Sequence, residues 1–316
     1  MHNFTSDFLL LEFSKIWELQ IIYVALLLIL YLMTLTGNLL IIIAVVSDYR
    51  LHIPMYFFLM NLAIQDIGSV SVIIPKAIFN SLTNTRHIYY SGCVTQVLMF
   101  IFFVGSDIAV LTLMAYDRYV AICNPLRYEI IMNRAACTKM ISCVWIASFL
   151  NSVMNTIDTF IIPFCSNIIN QFYCEIPHLL NIACSGSYIS EIGVVMFSST
   201  LGFGCFVFIV ITYVKIFAAV LKIPSVHGRK KTISTCLPHL TVFSIFLFTV
   251  FFAYLRPISN KPSDLDFIIT ILYSIIPPML NPLIYSMRNK ELKAALSKFI
   301  CSFVFEKTWN CINLCQ

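Results

Sequence analysis

Two carboxylates stand inside runs of otherwise apolar residues, where charge costs several kcal/mol. Asp66 falls in a stretch from about Phe57 to Asn80, and Asp107 in one from about Cys93 to Ile122. An ionisable side chain at that depth marks a functional position by default. Asn38 and Asn281, in two further apolar runs, supply the amides that could join these acids in a polar hub. A third acid, Asp117, is followed directly by Arg118 and Tyr119. Adjacent opposite charges at the edge of an apolar run can hold one another or separate, which is the chemistry of a switch. The remaining reactive set is four cysteines, Cys93, Cys165, Cys174 and Cys184, of which three lie between Pro163 and Glu191 in a stretch without Lys or Arg. No Cys-x-x-Cys or His-Glu-x-x-His spacing occurs, and no nucleophile, metal or nucleotide motif, so neither an enzyme nor a metal-binding protein is expected.

The elements that carry these residues are apolar to an unusual degree. Of the 316 residues 59% are hydrophobic and 11% charged, with mean hydropathy +0.88. Soluble domains carry roughly 25% charged residues, so a soluble globule is excluded, and disorder is excluded by the same excess of apolar residues. A membrane helix takes about 20 mostly apolar residues, and seven segments qualify. The first lies between Glu18 and Asp48, and the second and third are the runs around Asp66 and Asp107. The fourth lies between Lys139 and Pro163, the fifth between Glu191 and Lys215, the sixth between Lys231 and Arg256, and the seventh between Asp266 and Arg288. Their length and continuity favour helices over barrel strands, which would alternate apolar and polar residues over about ten positions. The sequence shows no internal repeat and no broken helix of the kind a transporter builds at the midplane. The fold class is therefore an all-α membrane protein, a seven-helix bundle. Residues 1–22 form the outer N-terminus, 23–288 the helical domain and 289–316 a tail. Leu292, Leu296, Phe299, Ile300 and Phe303 at helical spacing, with Lys290, Lys293 and Lys298 between them, predict a short amphipathic helix on the inner lipid surface.

Basic residues in short loops mark the cytoplasmic side. With the N-terminus outside, fifteen of the twenty Lys and Arg fall inside and five outside. The charge of +5 thus reflects topology, and nucleic acid is not an expected partner. Met1 to Trp17 is too polar for a cleaved signal peptide, and Asn3-Phe4-Thr5 is a glycosylation sequon that matters only outside. The four cysteines named above then face the oxidising exterior and fit two disulfides in any of three pairings. Cys301, Cys311 and Cys315 in the tail are candidates for palmitoylation or plain free thiols.

Four strings make the pattern specific. Met114 to Tyr128 reads MAYDRYVAICNPLRY, Leu51 to Asp66 reads LHIPMYFFLMNLAIQD, Lys231 to Leu240 reads KTISTCLPHL and Pro278 to Asn289 reads PMLNPLIYSMRN. With Gly37-Asn38 in the first span, they resemble the olfactory receptors among rhodopsin-like G-protein-coupled receptors, over residues 5 to 300. The resemblance implies an odorant receptor of the plasma membrane that activates a stimulatory G protein and raises cyclic AMP. It implies that Asp117 holds Arg118 at rest, and that activation frees Arg118 and moves the sixth helix outward. Tyr119, Tyr213, Asn281, Pro282 and Tyr285 belong to the same switch. Pro282 is expected to kink the seventh helix, with Asn281 and water satisfying the freed carbonyl. Sodium beside Asp66 and Asp107 is a further implication, and no other cofactor is expected. The implied disulfides are Cys93 to Cys174 and Cys165 to Cys184.

The same resemblance places the ligand between helices three, five, six and seven. Val97, Phe100, Ile101, Val104 and Gly105 descend one face of the third. Phe197, Ser198 and Leu201 face them from the fifth, Val250, Phe251 and Tyr254 from the sixth, and Ile271 and Ser274 from the seventh. The chain departs from the family's usual Phe-Tyr-Gly in reading Phe246-Leu247-Phe248, which removes a hydroxyl at Leu247. With no acid on the upper third helix, the lining suits a small, neutral, mostly apolar molecule. At roughly ten heavy atoms it should bind with about −5 to −8 kcal/mol, micromolar or weaker.

Overall fold

The computed structural model describes residues 7–13, 16–184, 188–255, 264–289 and 291–298, with the backbone alone for 188–192, 195, 250–255, 264–266, 287 and 288. Seven helices long and apolar enough to cross a membrane are present among them. They are α1 (Trp17–Ser47), α2 (Pro54–Leu82), α3 (Tyr90–Cys123), α5 (Arg134–Ile161), α7 (Tyr188–Leu221), α8 (Val226–Leu255) and a seventh span made of α9 (Asp264–Ser274) and α10 (Ile276–Arg288). Short helices α4 (Tyr128–Ile131) and α6 (Ile176–Asn181) lie in the loops. Residues 291–298 form a last helix, α11. The first span begins at Trp17, ahead of the boundary at 23 expected from sequence.

The spans bury unequal shares of themselves. α2 is the most enclosed, and large apolar side chains such as Ile22, Ile29, Ile146, Ile157 and Val214 face outward from α1, α5 and α7. In a soluble protein such a surface would aggregate; here it is the lipid contact. Small residues let the spans approach. A Cβ on Gly37 of α1 would lie 3.0 Å from the Pro282 Cβ of α10, so this close contact depends on glycine.

The seventh span is not one helix. It is interrupted at Ile275, where Pro277 and Pro278 leave the carbonyls four residues earlier without backbone donors. This corrects the expectation of unbroken helices; Pro282, where a kink was expected, lies inside α10. The Pro278 carbonyl, which the missing N–H of Pro282 leaves free, receives the Asn38 Nδ2 at 3.1 Å. The first span therefore fills the gap assigned from sequence to Asn281 and water.

The outer end is built from loop and N-terminus together. Strand β1 (Asp7–Leu9) pairs antiparallel with β2 (His87–Tyr89), with Phe8 opposite Ile88. Leu9 also bonds the Asn167 carbonyl at 2.8 Å and accepts from the Ile169 N–H at 2.9 Å. Phe8 and Leu10 are buried against Cys93, Cys174 and Leu179. The polar N-terminus, expected from sequence to lie outside the membrane, thus supplies part of the outer core. Cys93 is joined to Cys174 and Cys165 to Cys184. The first bond ties the loop to the top of α3; the second closes the loop on itself across Pro163–Cys184 and Cys165–Ile182 backbone bonds.

At the inner end, Asp48 follows α1 and accepts from the Arg50 side chain and backbone, which holds its carboxyl down at about 2. The Tyr56 hydroxyl of α2 shares its one proton between Asn289 Oδ1 at 2.7 Å and Glu291 Oε2 at 2.9 Å, fixing the start of α11. Leu292, Ala295 and Leu296 pack inward while Lys293 and Lys298 remain exposed, so α11 is amphipathic. Phe299, Ile300, Phe303, Lys290 and the three tail cysteines lie outside the described residues, as does Asn3.

Closing 81 residues of chain with one disulfide is worth about 4 kcal/mol. Replacing Cys174 with Ser should abolish display at the cell surface, measured by staining an N-terminal tag on intact cells. Normal display and response would refute this role for the Cys93–Cys174 bond.

Candidate functional site

A cavity of about 180 Å³ opens inside the upper bundle. Its walls follow helical periodicity: Phe100, Val104, Asp107, Ile108 and Leu111 on α3; Leu62, Asp66 and Ser69 on α2; Val242 and Phe246 on α8. Tyr273, Ser274, Pro277, Pro278 and Asn281 line it from the seventh span, and Glu175 covers it from the loop. Both halves of that span, before and after the break at Ile275, contribute to the wall. The middle is apolar, whereas Glu175 and Tyr273 make a polar roof and Asp66, Asp107 and Asn281 a polar floor.

Three of the ligand residues expected from sequence line this space: Phe100, Val104 and Ser274. Val97 and Ile101 instead pack toward the N-terminal strand with Phe8 and Cys93. Gly105 does not line the cavity, and a Cβ there would meet nothing within 4 Å. Phe197 and Leu201 are each 49% exposed, on the lipid side of α7. Ser198 is taken up between helices, accepting from Asn155 Nδ2 at 2.8 Å and donating to Asn151 Oδ1 at 2.9 Å. Ile271 is buried in a packing cluster with Phe172 and Tyr173. The fifth span therefore contributes no described residue to the lining. The side chains of Val250, Phe251 and Tyr254 lie outside the described residues. Leu247 packs toward Tyr213 and Phe243, so the hydroxyl missing there faces α7 and not the cavity, whose α8 wall is Phe246.

At the floor, Asn281 Nδ2 donates to both Asp66 oxygens, at 3.1 and 3.0 Å. Asn38 stands one step behind, bonded to the Pro278 and Thr34 carbonyls. Asp107 faces the same space, and its Oδ1 has no hydrogen-bond partner among the described residues; nor does Asn38 Oδ1. Buried oxygens without donors are costly, and a set of hard oxygen donors around two carboxylates suits a small hard cation. Asp66, Asp107 and Ser69, which share the cavity floor, are the groups available to one.

At the inner end, the Asp117 carboxylate is fully buried. Its Oδ2 accepts from Arg118 at 2.6 and 3.1 Å, and its Oδ1 from the Tyr128 hydroxyl at 2.8 Å. Burial, and then the Asp117 charge, push the Tyr128 hydroxyl above its ordinary range, so it remains a donor. A buried pair needs such extra bonds to offset desolvation. Tyr119 lies under Lys215, with the ammonium 5.8 Å from its ring centre. Tyr213 of α7 bonds His239 Nδ1 of α8 at 2.8 Å, and His239 Nε2 meets the Leu111 carbonyl of α3 at 2.9 Å. Tyr285 is buried, its hydroxyl 3.9 Å from the Met114 sulfur.

Sequence reasoning missed Glu175, Tyr273, Tyr128 and His239 as site residues. Glu175 directly follows Cys174, so the disulfide that pins Cys174 carries it over the cavity. Tyr273 lies eight residues, or two turns, above Asn281 on the same face.

The seven-span arrangement is that of rhodopsin-like receptors: squid rhodopsin superposes with a TM-score of 0.72 at 17% identity, over 92% of this chain and 88% of that one. The sequence is more particular. The olfactory receptor family matches residues 27–303, and the chain belongs to it. Human olfactory receptor 14J1 is 46% identical over 95% of this chain and 94% of its own length. Human olfactory receptor 14A2 is also 46% identical, over 93% and 94%, and mouse olfactory receptor 5AR1 is 43% identical over 95% and 97%. The chain is accordingly a multi-pass G-protein-coupled receptor of the plasma membrane and not an enzyme.

Replacing Asn38 with Leu leaves the Pro278 carbonyl buried without a donor, which costs about 1–3 kcal/mol. The purified Asn38→Leu variant should melt several degrees below the parent chain, by fluorescence-detected thermal unfolding in detergent. An unchanged melting temperature would show that the carbonyl is satisfied otherwise.

Proposed function

We propose that this receptor detects small, mostly apolar odorants in the cavity between the second, third, sixth and seventh spans, and activates an olfactory-type stimulatory G protein that raises cyclic AMP. One observation carries the reading. The apolar cavity and the buried Asp117–Arg118 pair share α3, and the same helix meets α8 through His239. A ligand wedged against Phe100, Val104 and Phe246 therefore presses on the two helices whose inner ends hold the switch. Ligand binding shifts a pre-existing equilibrium only by the difference in its affinity for the two states. In the resting arrangement Arg118 is held by Asp117, which Tyr128 holds in turn. Freeing Arg118 and swinging the inner end of α8 outward opens the face where the G protein binds.

Sodium belongs to the same proposal. Bound between Asp66 and Asp107 beside Ser69, it would supply a positive charge that no described residue of the floor provides. The ion would then hold the second and third spans together at rest, with the seventh joined to them by the Asn281 bonds to Asp66. Membrane lipid, through the outward apolar faces and α11, is the remaining partner, and glycosylation at Asn3 is proposed on the sequon.

Expression in cells carrying a cyclic AMP reporter, against a broad odorant panel, tests the signalling reading. Arg118→Ala should remove the response while leaving surface display intact. A ligand-gated current that persists without G protein would instead make the chain a channel. Tyr128→Phe deletes a hydrogen bond to a charged group, worth about 1.5–3 kcal/mol. Basal cyclic AMP per displayed receptor should rise by roughly tenfold or to its ceiling; a basal level equal to the parent's would remove Tyr128 from the switch. Asp66→Asn and Asp107→Asn should each change basal and stimulated signalling and abolish its dependence on sodium. If both variants signal like the parent chain, the hub has no such role.

A further inference from the structure

The roof of the cavity carries a carboxylate that the bundle leaves partly unanswered. Glu175 is 13% exposed and lines the cavity. One of its oxygens, Oε2, accepts from the Tyr273 hydroxyl at 2.6 Å and lies 3.6 Å from His178 Nδ1. Tyr273 has spent its only proton on Glu175, so Tyr173, whose oxygen is 2.8 Å away, must donate to it. A carboxylate accepts about four hydrogen bonds. Among the described residues Oε1 receives none, and no Lys or Arg pairs with Glu175. Below it the wall is apolar, through Phe100, Val104, Ile108 and Phe246. Ser274 also lines this space, its hydroxyl proton given to the Thr270 carbonyl; the floor acids lie further down, Asp107 seven residues below Phe100 on α3, about 10 Å along the helix.

This combination selects a ligand. Resting on the cavity being the odorant site, we infer that the receptor's agonists carry a hydrogen-bond-donating head group, an amine or a hydroxyl, that binds Glu175, on an apolar body of about six heavy atoms. The size follows from the volume, since cavities of about 150 Å³ take up a benzene-sized molecule. The donor follows from the roof. A ligand with only acceptors, such as a ketone or ester, would set its oxygen against a carboxylate and leave both without a donor. A carboxylate ligand would add like-charge repulsion. An ammonium fits best, because it supplies both donors and the missing charge.

The test uses hexan-1-amine, hexan-1-ol, hexan-2-one and hexanoate as matched probes on the full-length receptor. Cyclic AMP responses and thermal stabilisation of the purified chain are read side by side. Expected is activity for the amine and alcohol, with little from the ketone and none from hexanoate. Glu175→Gln should raise the half-maximal concentration for the amine by about tenfold or more, and for the alcohol by less. Because Glu175 also precedes α6 and its loss could disturb the loop, Tyr273→Phe provides the second variant. It keeps the carboxylate and frees Oε2, so amine potency should hold or improve. Equal potency of ketone and amine, or an amine response unshifted by Glu175→Gln at normal surface display, overturns the inference. Stabilisation by the amine that Glu175→Gln removes supports the inference even without any cyclic AMP response, an outcome in which the proposed signalling fails and the ligand class stands. Stabilisation by none of the four probes overturns it.

Discussion

Hydrocarbon offers no hydrogen bonds, so a backbone group left bare within the bundle has to be met by another part of the chain or by water. The Asn38 bond to the Pro278 carbonyl shows how far this constraint reaches. Pro282 withholds an amide, a carbonyl is left bare, and a side chain from the first span reaches it. For that amide to arrive, α1 must touch α10, and Gly37 is the residue that lets it. Register, contact and composition of two distant spans thus follow from one missing proton. The floor acids extend the same logic, with Asn281 meeting Asp66 from the neighbouring turn.

The outer end obeys a different rule. Water is present, so the loop between α5 and α7 is not forced into a helix, and covalent bonds organise it instead. Cys93–Cys174 fixes the height of the loop over α3, and the N-terminal strand, hydrogen-bonded on both sides, locks it laterally. A roof built this way presents Glu175 at one position with little conformational freedom. Rigidity there matters for recognition, because ordering a loop on binding would be subtracted from an affinity that a ligand of few heavy atoms can barely supply.

The spans, the paired charge at the inner rim and the floor acids were legible in the sequence because lipid makes the signals strong: long apolar runs, and rare charges within them. The cavity wall was legible only in part. Phe100 and Val104 were identified, but Val97 and Ile101 lie on the adjacent stripe of α3, and an apolar side chain carries no mark of whether it faces a partner helix or a space. On α7 the ambiguity is complete, since Phe197 and Leu201 would be equally apolar facing lipid or ligand. The break at Ile275 was written in Pro277-Pro278, but the Asn281-Pro282 motif next to it drew the attention instead. Glu175 escaped notice because its place depends on a disulfide, a relation across 81 residues that periodicity does not express.

The inner network argues for where motion is cheapest. Asp117 is bonded within α3 and to the following loop, so the Asp117–Arg118–Tyr128 set moves with α3 as one body. The link from α3 to α8 among these polar groups is different in kind: a single imidazole, His239, bridges the Leu111 carbonyl and Tyr213. A neutral imidazole donates from one nitrogen and accepts at the other. If Nε2 donates to the carbonyl, Nδ1 must accept from Tyr213, and the three helices are tied by one proton arrangement. Rotating α8 breaks both bonds together, while the charged pair on α3 need only exchange partners. The neutral bridge is therefore the weaker joint, and it lies one helical turn below Val242, where the cavity begins. A ligand acting on the α8 wall has a short path to the joint that yields first.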